Sequence, residues 1–335
     1  MNTNDRVAVC GAGGFIGGAL VAELRRRGVR DIRAIDRKPE SQWYQRFQNV
    51  DNLVLDLQLR ENTVQALQGV DVCFNLASDM GGMGFIEANK ALCMLSSLIN
   101  THLLEASRRG GVREYFFASS ACVYAGYLQR ETDIPGLKEP DAYPADPEDG
   151  YGWEKLFGER MCRHFSEDYG IRCRVARFHN VYGPHGTFAG GREKAPAAIC
   201  RKVIEAQMTG RNGIEIWGDG LQTRSFMYID DCVDGVLRLM ESDIDEPINI
   251  GSDEMVSINQ LVDVVEQIAG ITLERSYDLN APKGVRGRSS DNTLIRSLMG
   301  WAPRVTLLDG MRPTFEWIRA EMIAGRNADS IVNQF

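Results

Sequence analysis

VAVCGAGGFIGGAL, residues 7–20, decides how the rest of the chain is read. Its first residues are small and apolar, its middle is rich in glycine, and its end resumes an apolar pattern at helical spacing. That is the order of a strand, a tight turn and a helix. Gly11, Gly14 and Gly17 fall where the backbone must pass close to a ligand, and the helix start that follows offers free N–H groups to an anion. A pyrophosphate suits such a turn. The next strand, Asp31–Asp36, ends in an acid about 20 residues further on. A carboxylate there accepts hydrogen bonds from ribose hydroxyls and repels a 2′-phosphate. Together these features predict a dinucleotide site that favours NAD over NADP, with Arg37 and Lys38 beside Asp36 pulling the other way.

Outward from this unit, strand and helix signals alternate. Leu53–Asp56, Val70–Asn75, Arg113–Ala118 and Cys173–Phe178 read as strands, with helical stretches over about 60–68, 86–110 and 151–169. The alternation predicts an α/β protein with a Rossmann-type, doubly wound parallel sheet. From residue 179 glycine and proline become dense, as in VYGPHGTFAGGREKAP (181–196), and the elements shorten. This reads as a smaller, mixed C-terminal substrate lobe. SFMYIDDCVDGVLRLM (225–240) and EPINIGSD (246–253) return to the main sheet. The expected division is a cofactor domain over 1–178, completed by about 225–250. A substrate lobe over 179–224 and 251–320 follows, then a loosely held tail over 321–335.

Composition narrows the function. Of 335 residues, 44% are hydrophobic and 25% charged, as in an ordinary globular protein, and the net charge of −8 argues against a nucleic-acid partner. No basic stretch leads into an apolar run at the N-terminus, and no apolar run reaches membrane-spanning length, so neither a signal peptide nor a membrane segment is expected. The eight cysteines form no CxxC pair and no zinc spacing with histidine. Apart from Cys122, they read as buried, reduced thiols of a cytoplasmic protein without a metal site.

Two further motifs carry chemistry. YGWEK supplies Tyr151 and Lys155, which share one helix face at i and i+4. ASSAC (118–122) supplies Ser120 at the end of a strand. With GxxGxxG, they resemble the extended short-chain dehydrogenases/reductases, the NAD-dependent epimerase/dehydratase family. The resemblance implies NAD held by Gly11, Gly14, Phe15, Ile16, Gly17, Asp36 and Asp56 together with Tyr151 and Lys155. It implies Tyr151 as the base that takes a hydroxyl proton, with Lys155 lowering its pKa and Ser120 assisting. It also implies a homodimer built on the long helices at 86–110 and 151–169.

Within that superfamily, DMGGMGF (79–85), GGREKAPAA (190–198), WGDGLQTRSF (217–226), NIGSDEMVS (249–257), GVRGRSSDN (284–292) and GWAP (300–303) resemble the GDP-mannose 3,5-epimerases. The resemblance runs from about residue 6 to 320. It implies oxidation at C4 of a GDP-hexose and inversion at C3 and C5 next to the transient ketone. Reduction by the internally recycled NAD then completes the cycle. Cys122 and Lys194 match the acid/base pair, one for each face of the sugar. Gly81, Ser120, Cys122, Glu193, Lys194, Ala195, Lys202, Gln222, Thr223, Arg224 and Arg288 match positions that contact substrate, with Lys202, Arg224 and Arg288 suited to the diphosphate. His185 departs from the pattern, since an aromatic residue is usual there. A histidine in YGPH resembles the GDP-fucose synthases, which leaves an epimerase or epimerase-reductase on another GDP-sugar as the alternative, such as a GDP-heptose or GDP-4-keto-6-deoxymannose. A non-enzymatic NAD-binding regulator is disfavoured because Ser120, Tyr151 and Lys155 are all present.

Overall fold

The computed structural model describes residues 2–325. β1 (Arg6–Cys10), β2 (Asp31–Asp36), β3 (Asp51–Val54), β4 (Val72–Asn75), β5 (Glu114–Ser120) and β6 (Arg172–Phe178) join the later strand Ile248–Ile250 in one seven-stranded sheet. The order is Ile248–Ile250, β6, β5, β4, β1, β2, β3, and all neighbours run parallel. A parallel sheet is covered on both faces, which is why its strands are apolar runs rather than alternating ones. Successive residues of β1 serve opposite cores. Val7 and Val9 pack with Leu20 and Leu24 of α1 (Phe15–Arg26), while Ala8 and Cys10 face the other side. The chain winds one way from β1 to β3 and the other way from β4 to β6. The loops at the carboxyl ends of β1 and β4 therefore part and leave a crevice.

Between the strands of the first half lie α2 (Arg60–Ala66), α3 (Met83–Ala88), α4 (Lys90–Met94), α5 (Ser96–Gly110) and α6 (Asp149–Tyr169). Leu103 and Leu104 of α5 and Cys162 of α6 pack on Cys73, Tyr115 and Phe117. Fully burying a leucine or phenylalanine such as Leu103, Leu104 or Phe117 contributes about 1.5–3 kcal/mol. The second half adds α7 (Ala195–Thr209), α8 (Ile229–Glu241), α9 (Ile258–Ala269), α10 (Thr293–Met299) and α11 (Leu307–Ile323). Helix α8 packs in the same core as α1, whereas α7, α9 and α11 form a separate core around Val203, Leu261, Val265 and Phe315.

The single helix expected over 86–110 is three. At Asn89 the backbone leaves the helical region (φ −131°, ψ 41°), and the side-chain amide donates to the Phe85 carbonyl at 2.9 Å. Asparagine competes with the helix ladder in this way, which periodicity alone does not register. Ser96 opens α5 with its hydroxyl accepting from the Asp79 N–H at 2.9 Å, so the last break is tied to the DMGGMGF loop. The third strand ends at Val54 and leaves Asp56 in the loop beyond it. Of the expected tail, residues 321–323 belong to α11, and residues 326–335 lie outside the described residues. Among the described residues no helix is long and apolar enough to cross a membrane, and no group of side chains is arranged to hold a metal ion.

Candidate functional site

A cavity of about 300 Å³ occupies the crevice. One end is the glycine turn. Gly11 sits at φ +87°, and a Cβ there would lie 2.9 Å from the backbone of Leu76 and Ala77. A Cβ on Gly17 would lie 2.2 Å from the Gly11 carbonyl oxygen. Neither position accepts a side chain, so the turn stays tight and its backbone stays open to the cavity. Helix α1 then begins at Phe15 with no side chain capping it, which leaves its amino end available to an anion. Phe15, Ile16, Asp36 and Asp56 line the same cavity. Asp36 closes β2 and accepts the Lys38 N–H at 3.0 Å. Arg37 lines the cavity too, paired there with buried Asp79, which its guanidinium grips at 3.0 and 2.5 Å. A glycine turn, a free helix end and an acid at the ribose position fit an adenine dinucleotide.

The other end holds the candidate chemistry. Ser120, Tyr151, Lys155 and Lys194 all line the cavity. Tyr151 and Lys155 are one turn apart on α6, and Lys155 Nζ lies 5.5 Å from the Tyr151 ring centre, 4.9 Å from that of Phe117 and 3.3 Å from Glu154 Oε2. Burial pushes the Tyr151 phenol well above its usual range, as do Cys122 and Glu154, while the Ser120 hydroxyl pulls it back. Ser120 Oγ also accepts the Cys122 N–H at 3.2 Å.

Cys122 follows β5 in a short 3₁₀ turn and packs with Ile86, Cys93 and Tyr151. Burial raises its thiol, and the Arg288 guanidinium opposes that rise. Arg288 Nη1 donates to Cys122 Sγ at 3.4 Å, Nη2 to Glu148 Oε2 at 2.7 Å and Nε to Gln129 Oε1 at 2.6 Å. Arg288 thus stands at the Cys122 end of the site. Lys194 is the residue from which α7 starts, with an extended backbone (φ −91°, ψ 163°) and no capping bond from its side chain. Desolvation holds its ammonium below the usual lysine range, with Cys122 opposing and Arg288 adding to the shift.

Two loops set Lys194 in place. The Gly82 N–H donates to the Arg192 carbonyl at 3.0 Å, and a Cβ on Gly82 would lie 2.4 Å from the Glu193 carbonyl oxygen. DMGGMGF and GGREKAP are therefore in backbone contact, with Gly81 packed against Arg192. The Arg192 guanidinium lies over the Phe85 ring at 3.9 Å.

The other positions expected to contact substrate lie beside or within α7 and later in the chain. Lys202 Nζ donates to the Glu215 carbonyl at 2.7 Å beside the Trp217 ring. Arg224 holds the carbonyls of Lys283 and Val285 at 3.2 and 2.6 Å, and desolvation together with Arg288 lowers it to about 10. Thr223 Oγ1 bonds the Thr132 carbonyl, and Ala195 is the first residue of α7. Gln222 Nε2 is spent on the Trp217 carbonyl, while Gln222 Oε1 and Glu193 Oε2 are buried acceptors with no donor among the described residues. Orphaned acceptors of this kind suit a ligand that brings N–H or O–H groups.

His185 is placed differently. It sits at φ +66° with its ring 5.2 Å from that of Trp317 on α11, and it does not line the cavity. Burial lowers its imidazole, with Glu321 opposing. Glu148, Gln129 and Asp79 were not legible as site residues. Glu148, three positions before Tyr151, reads in the sequence as an ordinary acid near a helix start.

The model of the NAD dependent epimerase/dehydratase family matches residues 7–251. A GDP-mannose 3,5-epimerase 1 of Oryza sativa subsp. japonica is 47% identical over 98% of this chain and 88% of its own length. A GDP-mannose 3,5-epimerase of Arabidopsis thaliana is 48% identical over 95% and 83%. Among solved structures, a UDP-glucose 4-epimerase of Thermotoga maritima superposes with a TM-score of 0.84 over 95% of this chain and 99% of its own, at 24% identity. Fold, motif and similarity agree that the chain belongs to the NAD dependent epimerase/dehydratase family and, within it, to the group of its GDP-mannose 3,5-epimerase relatives.

Proposed function

We propose that this chain inverts C3 and C5 of GDP-mannose by way of a transient 4-keto sugar. The product is GDP-L-galactose, with GDP-L-gulose arising where C5 alone inverts. The observation that carries the reading is one cavity that gathers Ser120, Tyr151, Lys155 and Lys194, with Cys122 packed against Tyr151 behind it. The 47% identity over nearly the whole chain supports the choice of sugar nucleotide.

NAD, which the glycine turn, Asp36 and Lys155 would hold, would supply hydride chemistry at C4 with no net redox change. Tyr151 Oη accepts the C4 hydroxyl proton as its phenolate, a form that burial opposes and that the Ser120 hydroxyl and a lysine ammonium 5.5 Å from the ring centre favour. The ketone acidifies the C–H bonds at C3 and C5, because either carbanion is delocalised as an enolate. Lys194 Nζ, kept below its ordinary pKa by desolvation, takes a proton from one face. Cys122 Sγ–H delivers a proton to the other face. The buried acceptors Gln222 Oε1 and Glu193 Oε2 receive hydroxyl or amide donors of the substrate.

The test is GDP-mannose in heavy water, followed by NMR. Deuterium is expected at C3 and C5 and not at C4, and Lys194→Ala or Cys122→Ala is expected to abolish it. Active protein that leaves both carbons unlabelled would overturn the mechanism. The reductase alternative needs His185 as an acid, and its packing against Trp317 speaks against that role.

A homodimer belongs to the same reading. Met94, Leu95 and Leu98 on and beside α4–α5, with Trp153 and Phe157 on α6, are exposed apolar side chains on neighbouring helices. A second copy would cover them. Light scattering is expected to give twice the chain mass, and the mass of one chain for Trp153→Glu with Phe157→Glu. A single-chain mass for the unaltered protein would reject the dimer.

A further inference from the structure

We propose that Glu148 is a positioning residue that clamps Arg288 beside the Cys122 sulfur and cancels its charge, so that Cys122 stays a protonated thiol until the sugar carbanion forms. The inference rests on Cys122 as a proton-transfer group.

The geometry is unequal in a telling way. Arg288 reaches the Glu148 carboxylate at 2.7 Å and the Cys122 sulfur only at 3.4 Å. Arg288 and Cys122 are both buried, and the Glu148 side chain is 12% exposed. A guanidinium this close to a thiol would on its own favour the thiolate. The carboxylate takes up most of that charge. Glu148 is also fixed from below, because its N–H donates to the Cys122 carbonyl at 2.9 Å. That bond ties the Glu148 backbone to the turn that carries Cys122, and Arg288 holds its carboxylate.

The other groups facing Cys122 come from every element around it. Tyr151 approaches from α6, Cys93 from α4, Lys194 from the start of α7 and Arg224 from the strand Thr223–Ser225. Without Glu148 two guanidiniums, those of Arg288 and Arg224, would act on one sulfur with no carboxylate between them. The pair also serves the step itself. As the S–H bond breaks and the new C–H bond forms, Arg288 already stands beside the sulfur to hold the thiolate. A solvent proton then restores the thiol, and Lys194 releases to solvent the proton it took.

The test is NMR titration of the protein labelled with 13Cβ-cysteine, with the Cys122 signal assigned by Cys122→Ser. Glu148→Gln is expected to lower the Cys122 midpoint by about one to three units, Arg288→Met to raise it, and the double variant to return it near the starting value. The double variant removes both buried charges, so it keeps the comparison open if a single variant fails to fold. Wild type and Glu148→Gln titrating together, or Arg288→Met and the double variant titrating together, would overturn the inference. A purely structural Glu148 would not move the alkaline limb of deuterium incorporation, whereas the inference expects that limb to shift to lower pH in Glu148→Gln. If the midpoints move as stated while Cys122→Ala still inverts both carbons, the acid/base assignment of Cys122 fails and the effect of Glu148 on the thiol stands.

Discussion

Gly82→Ala adds a single methyl group and tests whether the contact between two loops places Lys194. The backbone at Gly82 (φ −68°, ψ 176°) is open to alanine, so no conformational strain enters. The effect is steric alone. The new Cβ would stand 2.4 Å from the Glu193 carbonyl oxygen. An ordinary C···O approach is about 3.3 Å or more, so the loop must retreat by roughly 0.9 Å. Lys194 is the next residue and moves with it. A displacement of about 1 Å at a reacting group costs about 10²-fold in rate. We therefore expect inversion at C3 and C5, followed by NMR in heavy water, to fall about 100-fold. The glycine turn and Asp36 are untouched, so dinucleotide affinity measured by calorimetry should hold. An overpacked contact of this sort also destabilises by about 1–3 kcal/mol, readable as a lower melting temperature. Inversion within two- to threefold of wild type (~0.5 kcal/mol in barrier) in folded Gly82→Ala would refute the reasoning.

Tyr151→Phe should keep the fold and dinucleotide affinity and lose about 10²–10⁴-fold in turnover; unchanged turnover would remove Tyr151 from the mechanism. Asp36→Ala should weaken NAD about tenfold or more and narrow the preference over NADP, checked by titrating both into stripped protein; equal wild-type affinities would show that Asp36 does not select. His179 is fully buried against Asn249, and burial lowers its imidazole to about 3. The unfolded chain takes up a proton below about pH 6.5 and the folded chain does not, so stability is present above that pH and is lost as pH falls towards 3. The loss should reach about 2 kcal/mol by pH 5 in urea titrations, and His179→Gln should remove that share of it; an unchanged acid slope in the variant would contradict the assignment.

The parts of the protein that were legible in sequence are those built locally. The glycine turn, the acid ending β2 and the i, i+4 pair Tyr151–Lys155 each lie within one short segment, and backbone geometry carries them directly into the cavity. The sheet strands were legible because burial on both faces leaves apolar runs. What escaped depends on contacts between distant segments. The Arg288–Glu148 bond spans 140 positions, and the Arg37–Asp79 bond spans 42. The second of these pairs Arg37 with Asp79 inside the cavity that Asp36 also lines. Asn89 broke the expected long helix through a side-chain bond to its own backbone, which residue spacing does not record. His185 pointed to another GDP-sugar from its motif, and its packing on Trp317, far along the chain, shows where its ring is held.

The position of Lys194 at the start of α7 has a consequence for selection. A helix start favours Ser, Thr, Asp or Asn, whose side chains accept a free N–H, and it repels a cation. Lys194 provides no such acceptor. Replacing it with Ser or Asp should make the protein about 1 kcal/mol more durable while removing the group we assign to proton abstraction. A variant library sorted by thermal survival alone would therefore enrich inactive molecules at this codon. Durability and turnover pull residue 194 in opposite directions, and the lysine persists only where the reaction itself is selected.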